Sequence, residues 1–108
     1  MSLYRFKSRE TGDLVMLEPH GKRILQIIGK DPGAAGVILP PQMPAAEQAL
    51  RDAMVLEEAD QQRQREEAQA KGDPPPEFEA VSLRLRSTPF IEMMQRCEKA
   101  CVEMVWGV

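Results

Sequence analysis

The side chains best suited to catalysis are few in this chain: one histidine, His20, and two cysteines, Cys97 and Cys101. Histidine serves as a general base near neutral pH, and histidine-assisted nucleophilic catalysis needs a nucleophile, a base and an orienting group. His20 stands between Pro19 and Gly21, where a predicted strand gives way to a predicted helix. Functional groups occur at such junctions, but so do ordinary polar loop residues. No spacing identifies a partner for His20, so the sequence predicts no catalytic residue.

The two cysteines are four residues apart on a predicted helix. Thiols at this spacing can share a metal ion, but a zinc site needs three or four converging ligands, and the Cys-x-x-Cys spacing of many reactive thiols is absent. Phe90 and Met94 share the predicted apolar face of the helix, and free cysteine is among the most buried residue types. Core packing is therefore favoured, and no metal or cofactor is predicted. A disulfide at this spacing would be strained, which indicates reduced thiols and a cytoplasmic location.

Basic side chains near the N-terminus form a candidate binding site for an anion or an acidic partner. They would converge if the N-terminal hairpin lies beside the first helix, and Arg9 would extend the patch. The alternative is an ordinary solvated surface, because basic residues commonly occupy the outward side of a strand. The candidate contacts are Arg5, Lys7, His20, Lys22 and Arg23.

The acidic side chains are concentrated in the middle of the chain. The net charge is −3; residues 1–40 carry six basic and four acidic side chains, residues 41–80 four and ten, and residues 81–108 four and three. Nucleic-acid binders usually show a basic excess, so nucleic acid is a disfavoured partner. No stretch approaches the roughly 20 apolar residues of a membrane span, and the polar N-terminus is unlike a signal peptide. We therefore expect no membrane partner.

A polar segment over residues 57–71, here called the arm, is rich in helix-forming residues. It is either a projecting solvated helix or a disordered segment. The adjacent carboxylates Glu57 and Glu58 have no apolar pocket in view, and we predict that they are solvated. Residues 72–80, here called the connector, begin with Gly-Asp-Pro-Pro-Pro, which ends any helix. Arm and connector are expected to be mobile.

Both ends of the chain have the period-two alternation of strands. Tyr4 and Phe6 alternate with basic residues, residues 10–13 supply a turn, and an apolar run follows over residues 14–17, which together predict a hairpin. A closing strand must join this hairpin, because an isolated strand leaves its backbone unpaired. The alternating residues of that strand are Val102, Met104, Trp106 and Val108.

Apolar residues at helical spacing predict helices between the strands. One carries Ile24 and Leu25 and ends at Gly29, after residues 19–21 have broken the second strand. Another starts at Pro44 and loses its apolar face near Leu56.

The third helix has the clearest predicted start, with Thr88 as its N-cap and Pro89 at the first helical position. The preceding residues 81–87 fit both a strand and a helix capped by Ser82. Residues 37–39, which precede two prolines, must be extended and are expected to cross or edge the core.

Several phrases of the sequence resemble one bacterial family, numbered 1840 among the domains of unknown function. They are YRFKS, TGDLVML, GKRILQIIGK, MPAAEQAL, VSLRLRSTPFIEMMQRC and MVWGV, and the resemblance runs from end to end. The Cys97 and Cys101 pair is not part of the family pattern. The resemblance implies no activity, cofactor or catalytic residue.

The sequence therefore predicts one α+β domain over residues 1–108, with a small antiparallel sheet of the N-terminal hairpin and the C-terminal strand packed on two to three helices. Its favoured function is a non-enzymatic cytoplasmic binding or adaptor module that uses the charged arm. The alternative is a small-ligand-binding or enzymatic domain centred on His20 and nearby basic residues. Partners would be another protein or a second copy, the latter by pairing at Trp106 if the final strand forms a sheet edge.

Overall fold

The two ends of the chain pair in one four-stranded sheet, which the helices cover on one face. The structure is a computed structural model that describes residues 2–107. Its elements are β1 (Leu3–Ser8), β2 (Leu14–Leu17), α1 (Glu18–Ile27), β3 (Gly36–Ile38), α2 (Met43–Lys71), α3 (Leu83–Ala100) and β4 (Met104–Trp106), with a short 3-10 turn at Pro40–Gln42.

The sheet is antiparallel throughout and has the strand order β2-β1-β4-β3. This confirms the predicted α+β class. Residues 36–38 add a fourth strand at the edge, as expected for a segment that edges the core. The condition for strand pairing between copies at Trp106 is not met, because β4 lies between β1 and β3 and both of its sides are occupied. Val108, predicted to close this strand, lies outside the described residues.

The core lies between the sheet and the helices and is aliphatic and methionine-rich. Phe6 of β1 meets Phe90 of α3 edge to face at 5.0 Å, and Phe6 also meets Trp106 at 6.0 Å. Residues that alternate with Phe6, such as Arg5, point to the open face of the sheet. The buried methionines are Met16, Met43, Met54, Met93, Met94 and Met104.

Helix α1 begins earlier than the sequence indicated. Pro19, His20 and Gly21 were predicted to break the second strand, which ends at Leu17, and they lie in the first turns of the helix. Proline is tolerated there because its missing N–H would have no helical partner. Gly29 takes a positive φ of 82° just beyond the helix end, as predicted for a terminating glycine.

The arm is helical, which settles the alternative left by the sequence. Helix α2 continues without a break through Lys71 and ends at Gly72, whose φ is 72°. Its last buried residue is Met54, so the arm leaves the core soon after that residue. The connector carries no helix or strand.

Helix α3 starts at Leu83, which is the Ser82-capped helix that the sequence left as one alternative for residues 81–87. Thr88 and Pro89, predicted as the start, lie inside the helix. The Ser82 side chain caps the helix by accepting a hydrogen bond from the Leu85 N–H at 3.1 Å, and Leu83 is buried. Burial of Leu83 favours two further turns ahead of the proline. Within the helix, the Thr88 hydroxyl donates to the Arg84 carbonyl at 2.7 Å.

The close approach of α1 to β1 depends on Gly21. A Cβ atom at this position would lie 2.5 Å from Cδ2 of Tyr4, whose hydroxyl donates to the Pro32 carbonyl. We expect Gly21→Ala to lower the free energy of unfolding by about 1–3 kcal/mol because of this overlap. Helix propensity alone would raise it by about 1 kcal/mol. Urea unfolding, followed by Trp106 fluorescence, measures the sign of the change in the free energy of unfolding.

The matched control is Gly12→Ala, where a Cβ would meet nothing within 4 Å. Its free energy of unfolding should stay within about 0.5 kcal/mol of the parent. A stabilised Gly21→Ala protein would contradict the packing described here.

Candidate functional site

The five candidate basic residues divide into two groups. Arg5 and Lys7 lie on the open face of the sheet, where Arg5 pairs with Asp13 at 3.3 Å. His20, Lys22 and Arg23 lie on α1. Arg5 and Lys7 line one cleft, and His20 and Arg23 line a separate crevice. The two sets of lining residues do not overlap. As anion or partner contacts, these residues remain a prediction.

Arg5 and Lys7 line a cleft of about 510 Å³ together with Trp106 and the loop over residues 32–35. The indole ring of Trp106 occupies the place of a side chain at Gly36, since a Cβ there would lie 2.6 Å from Cζ2. Trp106 Nε1 is buried and has no hydrogen-bond partner among residues 2–107. The indole N–H is thus shielded, and Arg5 and Lys7 are the charged side chains that line this cleft.

His20 is half-buried beside a crevice of only about 10 Å³, formed with Arg23, Glu79 and the start of α3. A cavity needs roughly 10–15 Å³ to hold even one water molecule. The crevice that His20 itself lines is therefore about the size of one water molecule.

Lys22 and Arg23 are engaged within the fold. Lys22 pairs with Glu18 at 2.6 Å, and the hydrogen bond between them lowers the pKa of Glu18 and raises that of Lys22. Arg23 pairs with Glu57 at 3.0 Å. Both cations thus stabilise local structure.

Glu57 joins three helices at the base of the arm. It belongs to α2, pairs with Arg23 of α1, and accepts a hydrogen bond from the backbone N–H of Leu83 at 3.0 Å. Leu83 is the first residue of α3, where backbone N–H groups lack helical partners and a negative charge is stabilised. Sequence reasoning assigned Glu57 to a solvated surface, and its side chain is instead only 18% exposed.

Glu58 makes the second link between α2 and α3. Arg84 binds it with two hydrogen bonds, Nε to Oε2 at 2.8 Å and Nη2 to Oε1 at 2.7 Å. These hydrogen bonds hold the pKa of Glu58 below its ordinary value and raise that of Arg84. The partners are 26 residues apart, and no sequence pattern indicates such a pair.

Beyond these anchors, the arm is held by pairs along its own surface. Arg63 pairs with Asp60 and, at 3.0 Å, with Glu67. Hydrogen bonding to Arg63 lowers the pKa of Asp60. Pairs three and four residues apart each stabilise a helix by about 0.2–0.5 kcal/mol.

The connector runs back beside the arm and closes a groove, here called the arm groove. Phe78 lies under the guanidinium of Arg65, which is 5.1 Å from the ring centroid. The groove has a volume of about 680 Å³. Its lining residues are Arg23, Ile27, Ala53, Leu56, Glu57, Asp60, Gln61, Gln64 and Phe78.

The two cysteines differ in environment. Cys97 is buried and its thiol donates to Ser8 Oγ at 3.1 Å. Cys101 is exposed just beyond the end of α3, with a φ of 56°. The expected burial holds for Cys97 but is wrong for Cys101, because the helix ends at Ala100.

Among residues 2–107, no group of three or more His, Cys, Asp and Glu side chains could hold a metal ion. Within the same range, no helix is both long and apolar enough to cross a membrane.

The architecture is that of an α+β domain with a one-sided antiparallel sheet and a projecting helix. The sequence profile described as "Domain of unknown function (DUF1840)" matches residues 2–106. The chain therefore belongs to the DUF1840 family, as its phrases suggested. No curated protein and no solved structure shows significant similarity to it.

Thiol titration checks the environments of the cysteines. With Ellman's reagent under native conditions we expect Cys101 to react promptly and Cys97 to be protected by its burial. In denaturant both should react at similar rates. Equal rates in the native protein would contradict the packing of Cys97.

The pH dependence of stability checks the link between Glu58 and Arg84. A carboxylate with a lowered pKa stabilises the fold above its ordinary value of 4.5, and this contribution is lost as the pH falls through the lowered value. Glu58→Gln should therefore be less stable than the parent near pH 7, and the difference should shrink below pH 4.5. Urea unfolding at several pH values measures it.

Glu77→Gln is the control, because Glu77 is exposed in the connector. Its stability should follow that of the parent at every pH. A pH-independent difference for Glu58→Gln would show that the ion pair is not what stabilises this junction.

Proposed function

We propose that this protein is a non-enzymatic cytoplasmic binding or adaptor module that captures a protein partner through the arm. The observation that carries the proposal is the continuous helix α2, whose last buried residue is Met54 but which extends to Lys71. Where it leaves the core, Val55 is 62% and Leu56 72% exposed. A helix with no core to pack against is suited to presenting a surface to another molecule.

Pre-organisation supports this use of the arm. Association is weakened when flexible segments must be ordered on binding. Here the arm is anchored by Glu57 and Glu58 and spans roughly 22 Å at 1.5 Å per residue. The molecule is elongated, with extents of 52 × 30 × 21 Å.

The surroundings of His20 support binding over catalysis. The crevice that His20 lines is only about 10 Å³, and its neighbour Arg23 is paired with Glu57. The concave surface beside the arm is far larger than the crevice, at about 680 Å³.

Site-specific cross-linking tests the proposal. We expect a photo-crosslinking phenylalanine derivative at Gln62, an exposed arm position, to give a discrete covalent adduct with a partner in host cells. The same group at Val15, on the open face of the sheet, should give none. Denaturing gels and mass spectrometry identify the adduct.

A deletion variant supplies the second test. Removing residues 60–71 while keeping Glu57 and Glu58 preserves the anchors to α1 and α3, so the core should stay folded. Capture of the adduct partner should be abolished. Full capture by the deletion variant, or cross-linking only from Val15, would refute the proposal.

A further inference from the structure

We infer that the arm groove binds a basic amphipathic helix of the partner. This inference rests on the proposed function, since it names the class of partner that the arm would recognise. It is carried by two properties of the same surface, an exposed apolar floor and an excess of negative charge around it.

The apolar floor comes from three parts of the chain. Ile27 belongs to α1, Ala53 and Leu56 to α2, and Phe78 to the connector. Leu56 is the most exposed, at 72%. Apolar side chains that converge from separate elements on one concave surface are typical of a site that receives apolar side chains of a partner.

The arm and the connector, which border this floor, carry a net negative charge. Residues 57–79 carry eight acidic and three basic side chains. The exposed carboxylates Asp73, Glu77 and Glu79 form no ion pair with any described residue. The one cation on the rim outside this segment, Arg23, is held by Glu57. A partner with lysine or arginine beside its apolar residues is thus complementary in charge.

The shape favours a helix over an extended segment. Extended peptides are usually bound by pairing with a free strand edge, and no strand residue lines the groove. An amphipathic helix instead lays its apolar stripe into a groove bounded by helices. A helix of about 14 residues is roughly 21 Å long and matches the length of the arm.

Defined peptides test the inference with the full chain. The probe is a labelled peptide of about 14 residues, built from leucine at helical spacing and lysine elsewhere. Its controls are a scrambled peptide of the same composition and a leucine and glutamate peptide with the same spacing. Fluorescence polarisation measures affinity, and ¹⁵N–¹H spectra locate the contact. We expect the amphipathic basic peptide to bind at least about tenfold more tightly than either control, which corresponds to about 1.4 kcal/mol.

Two neighbouring positions supply matched variants. Leu56→Ser should weaken binding at least about tenfold. Val55→Ser, at a position that is 62% exposed but does not line the groove, should change affinity less than twofold, a difference of roughly 0.4 kcal/mol. Both residues are largely exposed, so neither variant should unfold. Phe78→Ala should also weaken binding, and spectral changes should centre on Ile27, Leu56 and Phe78.

The inference is overturned if the peptide does not bind at about 1 mM or if the scrambled peptide binds equally well. It is also overturned if the two serine variants have equal effects or if the spectral changes lie on the open face of the sheet. Self-association that Leu56→Ser abolishes would make a second copy the occupant instead. If the cross-linker at Gln62 captures a partner and Leu56→Ser leaves that capture intact, the arm keeps its proposed function and the groove inference alone fails.

Discussion

The arrangement of the helices depends on two interactions of the Glu57 carboxylate. One oxygen pairs with Arg23 of α1 at 3.0 Å, and the other accepts the first backbone N–H of α3 at 3.0 Å. A largely buried acidic group is stable when its oxygens are satisfied in this way. Because Glu57 also lies where α2 leaves the core, the same residue fixes the origin and direction of the arm.

Different forces stabilise α2 on the two sides of Glu57. Up to Met54 the helix is stabilised by burial of Met43, Ala46 and Leu50. Beyond Glu58 it is stabilised by ion pairs along its own surface, by helix-forming residues and by the connector that packs Phe78 under Arg65. The transition leaves Leu56 exposed beside a groove, in a segment that remains helical. This combination of helical structure and exposure links the fold to the proposed function.

Local patterns in the sequence predicted the parts of the fold that local forces decide. Alternation around Phe6 and Trp106 indicated strands, the conformational freedom of Gly29 indicated the end of α1, and the proline run after Gly72 indicated the end of α2. For α3, Thr88 and Pro89 form a strong local signal, and the local pattern could not choose between a strand and a Ser82-capped helix over residues 81–87. The observed start depends on burial of Leu83 and on a carboxylate 26 residues away. The arm groove could not be predicted for the same reason, since its residues come from α1, α2 and the connector.

The most direct test of the account is the state of the arm in solution, measured by backbone NMR chemical shifts and ¹⁵N relaxation of the intact protein. The account predicts helical Cα shifts without interruption from Met43 to Lys71, with relaxation in the arm close to that of the core helices. Random-coil shifts and fast internal motion beginning near Asp60 would contradict it, because a disordered segment would neither maintain the groove nor present a pre-organised surface to a partner.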